Sequence, residues 1–106
     1  MSAVLILLTT FPDLDTARSV VRALVMESLA ACGNIIPGVE SIYRWQGKIE
    51  TSAEVIVIFK TTAASADRAQ ARLRELHPYE VPEILRLPVA DGWPPYLDWV
   101  REQVGL

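Results

Sequence analysis

Apolar and polar side chains roughly alternate from Val39 to Trp45, as on a half-buried strand. Just upstream, Ala31-Cys32-Gly33-Asn34-Ile35-Ile36 has the same β character, and Pro37-Gly38 interrupts the run. Proline cannot donate to a central ladder and glycine tolerates a bulge, so the pattern predicts one long kinked strand over residues 31–45. At roughly 3.3 Å per residue it would reach on the order of 40 Å, well beyond the common strand of about 5–6 residues. A small domain cannot cover such a ribbon with its own chain. Another subunit is expected to do so.

The rest of the chain falls around this ribbon. Residues 3–9 form a continuous apolar run, the pattern of a central strand buried on both faces. Phe11-Pro12-Asp13 breaks it, and Asp13 or Asp15 is placed to cap a helix. Ala17, Val20, Val21, Leu24, Val25 and Ser28 recur at helical spacing, with Arg18, Arg22 and Glu27 off that stripe. After the long strand, Gln46-Gly47-Lys48 reads as a hairpin turn. Residues 49–54 then lead into the β-branched run 55–60, another central strand. Ser65 is a candidate N-cap for a second helix carrying Ala66, Ala69, Leu73 and Leu76. His77-Pro78 ends that helix, because a residue before proline is pushed out of α geometry. The strand over 84–89 has prolines on both sides and belongs at a sheet edge. Pro95 opens a last helix with Tyr96, Leu97, Trp99, Val100 and Val104 on its apolar side. The order β-α-β-β-α-β plus a helix predicts an α+β ferredoxin-like sandwich, with residues 1–106 as one domain.

Composition narrows the function. Hydrophobic residues make up 51% of the 106, and mean hydropathy is positive, which suits an oligomer burying further surface between subunits. The net charge is −3 with no basic block, which argues against nucleic acid as a partner. No apolar run is long enough to span a bilayer, and the N-terminal run lacks the charged flank of a signal peptide, so no membrane partner is expected. The single cysteine excludes an internal disulfide and points to a reducing compartment, the cytoplasm. No phosphate-binding glycine loop, nucleophile triad or acid–base pair is legible, so neither an organic cofactor nor an enzyme is expected.

Several stretches together resemble the CutA family, the divalent-cation tolerance proteins. They are Leu29-Ala30-Ala31-Cys32-Gly33-Asn34, Ile36-Pro37-Gly38, Ile42-Tyr43-Arg44-Trp45-Gln46-Gly47-Lys48, Glu54-Val55 with Lys60-Thr61, Leu76-His77-Pro78-Tyr79-Glu80-Val81-Pro82-Glu83, and Tyr96-Leu97-Asp98-Trp99. They span nearly the whole chain. The resemblance implies a homotrimer built like the nitrogen-regulatory PII proteins, with long hairpin strands pairing between subunits. It also implies an association with copper and other divalent metal ions. Some family members carry further cysteines, whereas this chain has only Cys32, and Gln46 stands where the family often has Glu.

Three residues are candidate metal ligands: Cys32, His77 and Glu83. A thiolate suits Cu(I), and imidazole with carboxylates, Glu54 and Glu80 among them, suits Cu(II), Zn(II) or Ni(II). Each also has a plain structural reading, Cys32 as a small buried hydrophobe and His77 as a helix terminator. Tyr43, Trp45, Lys60 and Tyr79 are candidate walls of a cleft between subunits, or simple packing residues. Trp93, Tyr96 and Trp99 read as a packing cap. The leading expectation is a metal-binding tolerance trimer. The alternative is a PII-like signalling or scaffold trimer that takes a small ligand or a protein partner in the cleft.

Overall fold

The computed structural model describes residues 1–105. In chain order the elements are β1 (Val4–Phe11), α1 (Leu14–Met26), β2 (Cys32–Trp45), β3 (Lys48–Thr62), α2 (Ala66–Leu76), β4 (Ile84–Pro88) and α3 (Pro94–Gln103). The four strands form one antiparallel sheet in the order β2-β3-β1-β4. The predicted ferredoxin-like order of elements is therefore present, with α3 as the additional helix.

Local chemistry accounts for the boundaries. The Asp13 side chain accepts a hydrogen bond from the Thr16 amide at 2.8 Å and starts α1. Ser28, at φ 58°, ends it, with Ser28 N–H donating to the Val25 carbonyl and Leu29 N–H to the Leu24 carbonyl. This is the paired terminal bonding that a left-handed residue permits. Ser65 stands at the N-cap position of α2 but its hydroxyl does not cap the helix; it accepts from Arg68 instead.

Both α1 and α2 pack on one sheet face. Leu7 and Phe11 of β1 and Val57 and Phe59 of β3 meet Val20 and Leu24 of α1 and Ala69 and Leu73 of α2, all buried. Gly33 lets α1 come close, since a Cβ there would lie 2.9 Å from Val21 Cγ1 and 3.2 Å from Phe59 Cδ1. The other face is covered only at one end, where Val100 and Val104 pack with Val4 and Ala31. Ile6, Leu8, Ile56 and Ile58 are half-buried on that second face, and Ile36, Leu85 and Leu87 are exposed. The expectation that β1 would be buried on both faces thus holds only in part. Two helices cover one side, and α3 is too short to cover the other.

β2 and β3 form the long ribbon that the sequence pattern predicts. Residues 48–54 of β3 pair with β2 alone, beyond the reach of β1. The molecule is 45 Å along its longest axis, and Ile42 and Ile49 on the ribbon are 65% and 63% exposed. The turn residues Gln46 and Gly47 both have positive φ, the two-residue hairpin geometry. Between Ile36 and Val39 the register slips by one residue, with Gly38 at φ 76°. This bulge changes the parity of β2. Before it Cys32, Asn34 and Ile36 lie on the open face; after it Val39, Ser41, Tyr43 and Trp45 do.

Candidate functional site

At the base of the ribbon, where β3 leaves β1, the coil between α2 and β4 folds against the open face. It closes a cleft of about 700 Å³. β2 contributes Ser41, Tyr43 and Trp45, and β3 contributes Ser52 and Glu54. The coil contributes Tyr79, Glu80 and Glu83. Tyr43 and Trp45 face this side because they pair with Glu50 and Lys48, which share the face of Ser52 and Glu54.

Two bonds fix the walls. The Tyr79 hydroxyl donates to Glu54 Oε2 at 2.6 Å, tying the coil to β3. Ser52 Oγ donates to the Tyr43 hydroxyl at 3.3 Å, across the ribbon. Burial pushes the Tyr79 phenol well above the ordinary tyrosine value, and the Glu54 carboxylate beside it adds to the shift. Tyr79 therefore stays a donor at all physiological pH. Every charged side chain that lines the cleft is acidic. Among the described residues, Glu54, Glu80 and Glu83 have no ion-pair partner.

His77 stands behind this wall rather than in it. It is 6% exposed, and its ring stacks on Phe11 at a centroid distance of 4.5 Å and lies 5.0 Å from the Tyr79 ring. Nε2 lies 2.8 Å from the Thr10 carbonyl, with Thr9 Oγ1 at 3.2 Å, and Nδ1 accepts from the Tyr79 amide at 3.2 Å. A carbonyl can only accept and an amide can only donate, so the proton sits on Nε2. Burial holds the imidazole below its ordinary value; Arg74 pushes the same way, while the Thr10 carbonyl and Glu54 oppose. Both ring nitrogens are committed, and a metal at either would have to displace a hydrogen bond of the fold.

Cys32 lies at the opposite end of the sheet. It is half-buried, unpaired, directly across from Lys60, with its sulfur 3.7 Å from the Tyr96 hydroxyl. Burial raises Tyr96 above the ordinary value, and the hydrogen bond to Cys32 contributes. Lys60 hydrogen-bonds to Asn34 on the neighbouring strand. Lys60 is thus not a wall of the cleft with Tyr43, Trp45 and Tyr79. It lies six positions along β3 from Glu54, roughly 20 Å on an extended strand. Of the three candidate ligands only Glu83 lines the cleft. Among the described residues no group of three or more His, Cys, Asp or Glu side chains is placed to hold a metal ion. Ser41 and Ser52 are cleft residues that the sequence reading did not single out. The only signal for them was their position opposite one another beside Tyr43 in the hairpin.

Comparison with known proteins places this geometry in a family. The sequence pattern of the CutA1 divalent ion tolerance proteins matches residues 5–103. The chain is 48% identical over 100 residues to the divalent-cation tolerance protein CutA of Thermus thermophilus, covering 94% of this chain and 97% of that one. It is 45% identical over 93 residues to the mouse protein CutA, covering 88% of this chain and about half, 52%, of the mouse protein. Its fold superposes on the crystal structure of CutA from Xylella fastidiosa with a TM-score of 0.95, at 44% identity, covering 98% of this chain and all of that one.

Proposed function

Because the chain belongs to the CutA1 divalent ion tolerance family, we propose that it acts in divalent-cation tolerance as a homotrimer whose subunits together meet copper or another divalent metal ion. The observation that carries the assembly is the uncovered sheet face, continuous with an overhanging ribbon. Ile36, Leu85 and Leu87 are exposed beside half-buried Ile6, Leu8, Ile56 and Ile58. A patch of that kind marks an interface. Trimerisation would set each Cys32, and separately each Glu83, beside a neighbouring subunit; among the described residues neither finds enough ligands within one subunit. His77 in this reading holds the cleft wall and would bind metal only where the coil opens. The role is binding rather than catalysis, since the one histidine is neutral, buried and fully bonded. The free cysteine suits the reducing cytoplasm.

Native mass spectrometry on protein purified without chelator or affinity-tag metal tests both halves. The expected result is a trimer that takes up added Cu(II) or Zn(II), with uptake lost in Cys32→Ser with Glu83→Gln. Ile58→Glu should break the trimer. A folded wild-type monomer would overturn the assembly, and metal uptake unchanged in the double variant would overturn the ligand assignment.

A second reading is supported by the cleft itself: a PII-like trimer that takes a small ligand against Tyr43, Trp45 and Tyr79. Its volume suits a small molecule, and its walls are fixed by the Tyr79–Glu54 and Ser52–Tyr43 bonds before any ligand arrives. A metabolite, rather than a metal, raising the melting temperature would favour it.

A further inference from the structure

We propose that the pocket between the start of α2 and the end of α3 holds a phosphate group, carried by inorganic phosphate or by a small phosphorylated molecule. The pocket has a volume of about 650 Å³ and lies at the end of the sheet away from the ribbon turn. It does not open on the face that the proposed trimer covers. Along the chain, Ser2 lines the pocket, Val4 is packed under Val100 and Val104, and Ile6 and Leu8 follow on the uncovered side. α3 stands between the two.

The first element is the start of α2. Ser65 occupies the N-cap position at φ −100° and ψ −6°, inside the helical region. A hydroxyl reaches back to the first amides from the extended region, so Ser65 leaves its helix uncapped. The amides of Asp67 and Arg68 have no acceptor among the described residues. Open amides at the positive end of a helix favour an anion.

The second element is Thr62, the last residue of β3, which lines the pocket and is 4% exposed. Its hydroxyl has no hydrogen-bond partner among the described residues. No side-chain oxygen sealed from solvent is left unpaired among those residues, so this one opens on the pocket. A polar group buried this far is normally bonded, and its partner has to come from the pocket.

The third element is Arg68, whose guanidinium folds back over the helix start and donates to Ser65 Oγ at 3.3 Å. Among the described residues it has no ion-pair partner. Ser65 accepts that bond, so its own proton remains to be given. The pocket's other arginine is committed. Arg101 donates to the Ser2 carbonyl at 2.8 Å and to Asp98 at 3.0 Å, which neutralises that carboxylate. Glu102, exposed on α3, is the remaining acid of the lining. Two hydroxyls, two amides and a guanidinium are all donors, the set that a tetrahedral oxyanion accepts. A metal ion would find one unpaired carboxylate. The pocket volume leaves room for an organic remainder on the phosphate.

Calorimetric titration of the assembled full chain in phosphate-free buffer tests this. The probes are inorganic phosphate, glycerol 3-phosphate, glycerol and acetate, at matched ionic strength. The expected result is binding of the two phosphates, with none by glycerol and weaker binding by acetate. Thr62→Val and Arg68→Gln should each weaken it by about tenfold or more. Arg18→Gln, which removes the same charge from α1, should leave it unchanged. Glu102→Gln should tighten it. Thr62→Val should not lower the melting temperature, because the lost hydroxyl holds nothing in the empty protein. Equal affinity for both phosphates identifies the free anion, and tighter binding of the ester identifies a phosphorylated small molecule. No heat from either phosphate, glycerol or acetate binding as tightly, or unchanged affinity in either weakening variant would overturn the site. A lower melting temperature in Thr62→Val would show that the hydroxyl serves the fold, and would overturn its assignment to the ligand.

Discussion

Nε2 of His77 donates to the main-chain carbonyl of Thr10 across 2.8 Å, although the two residues lie 67 positions apart. Through this bond the coil after α2 is latched to the end of β1. The other ring nitrogen must stay unprotonated to accept from Tyr79. Protonation therefore breaks the second contact and places a charge in a buried site. The native pKa lies below the ordinary value of 6.5, so the stabilisation is complete above that value. It is lost as pH falls from it toward the native value, at no more than about 1.4 kcal/mol per pH unit. Melting curves at descending pH should show this loss in the wild type and a flatter profile in His77→Gln. Identical slopes would mean that His77 does not titrate as described.

Tyr79 gives the matching experiment at high pH. Its phenol is raised by burial first and by the Glu54 carboxylate second. Ultraviolet titration of tyrosinate should therefore show a group that keeps its proton well past the ordinary value of 10. The phase should vanish in Tyr79→Phe and move down in Glu54→Gln. No movement in Glu54→Gln would remove the carboxylate from the explanation.

Gly33 sets how near α1 can approach β2. A methyl group there meets Val21 Cγ1 at 2.9 Å and Phe59 Cδ1 at 3.2 Å, both inside the core. Gly33→Ala should cost about 1–3 kcal/mol by overpacking. Denaturant unfolding at fixed subunit concentration measures it, and a Gly33→Ala protein as stable as the wild type would show that Val21 has room to turn away.

Ser28 is the opposite case, a side chain where glycine would serve better. Its φ of 58° lies in the left-handed region. Its hydroxyl donates to no described partner in the turn, while its main chain makes the bonds that end α1. Ser28→Gly should stabilise the protein by about 1 kcal/mol. A lower melting temperature in the variant would count against that strain.

Much of the fold was legible because its signals are local. Alternation over residues 39–45, the Pro37-Gly38 break, Gln46-Gly47 and the Asp13 cap each act within a few residues, and each is where the pattern placed it. The cleft expected from the sequence lies between subunits, whereas the one in the structure lies within a single subunit. Tyr43, Trp45, Tyr79 and Glu83 converge, but Lys60 does not, because its place depends on the pairing that sets it opposite Cys32. The sequence offers His77 as a metal ligand or a helix terminator, and the pattern says nothing of its bonding. Its partners, Thr9 and Thr10, belong to the first strand, and no spacing within residues 77–83 could announce them.

The extra residue at Gly38 makes the ribbon count in twos. Beyond it, whether a side chain meets Tyr79 or turns its back depends only on whether an odd or an even number of positions separates it from the slip. Removing one residue between Ile36 and Val39 would straighten the arm but leave Tyr43 opposite Glu50 and Trp45 opposite Lys48, so both rings would keep their side. One residue added to each strand, between Ser41 and Tyr43 and opposite it, would keep every pair yet turn both rings to the reverse side. A lone insertion should leave the rings in place where it bulges out of the ladder, as the residue at Gly38 does.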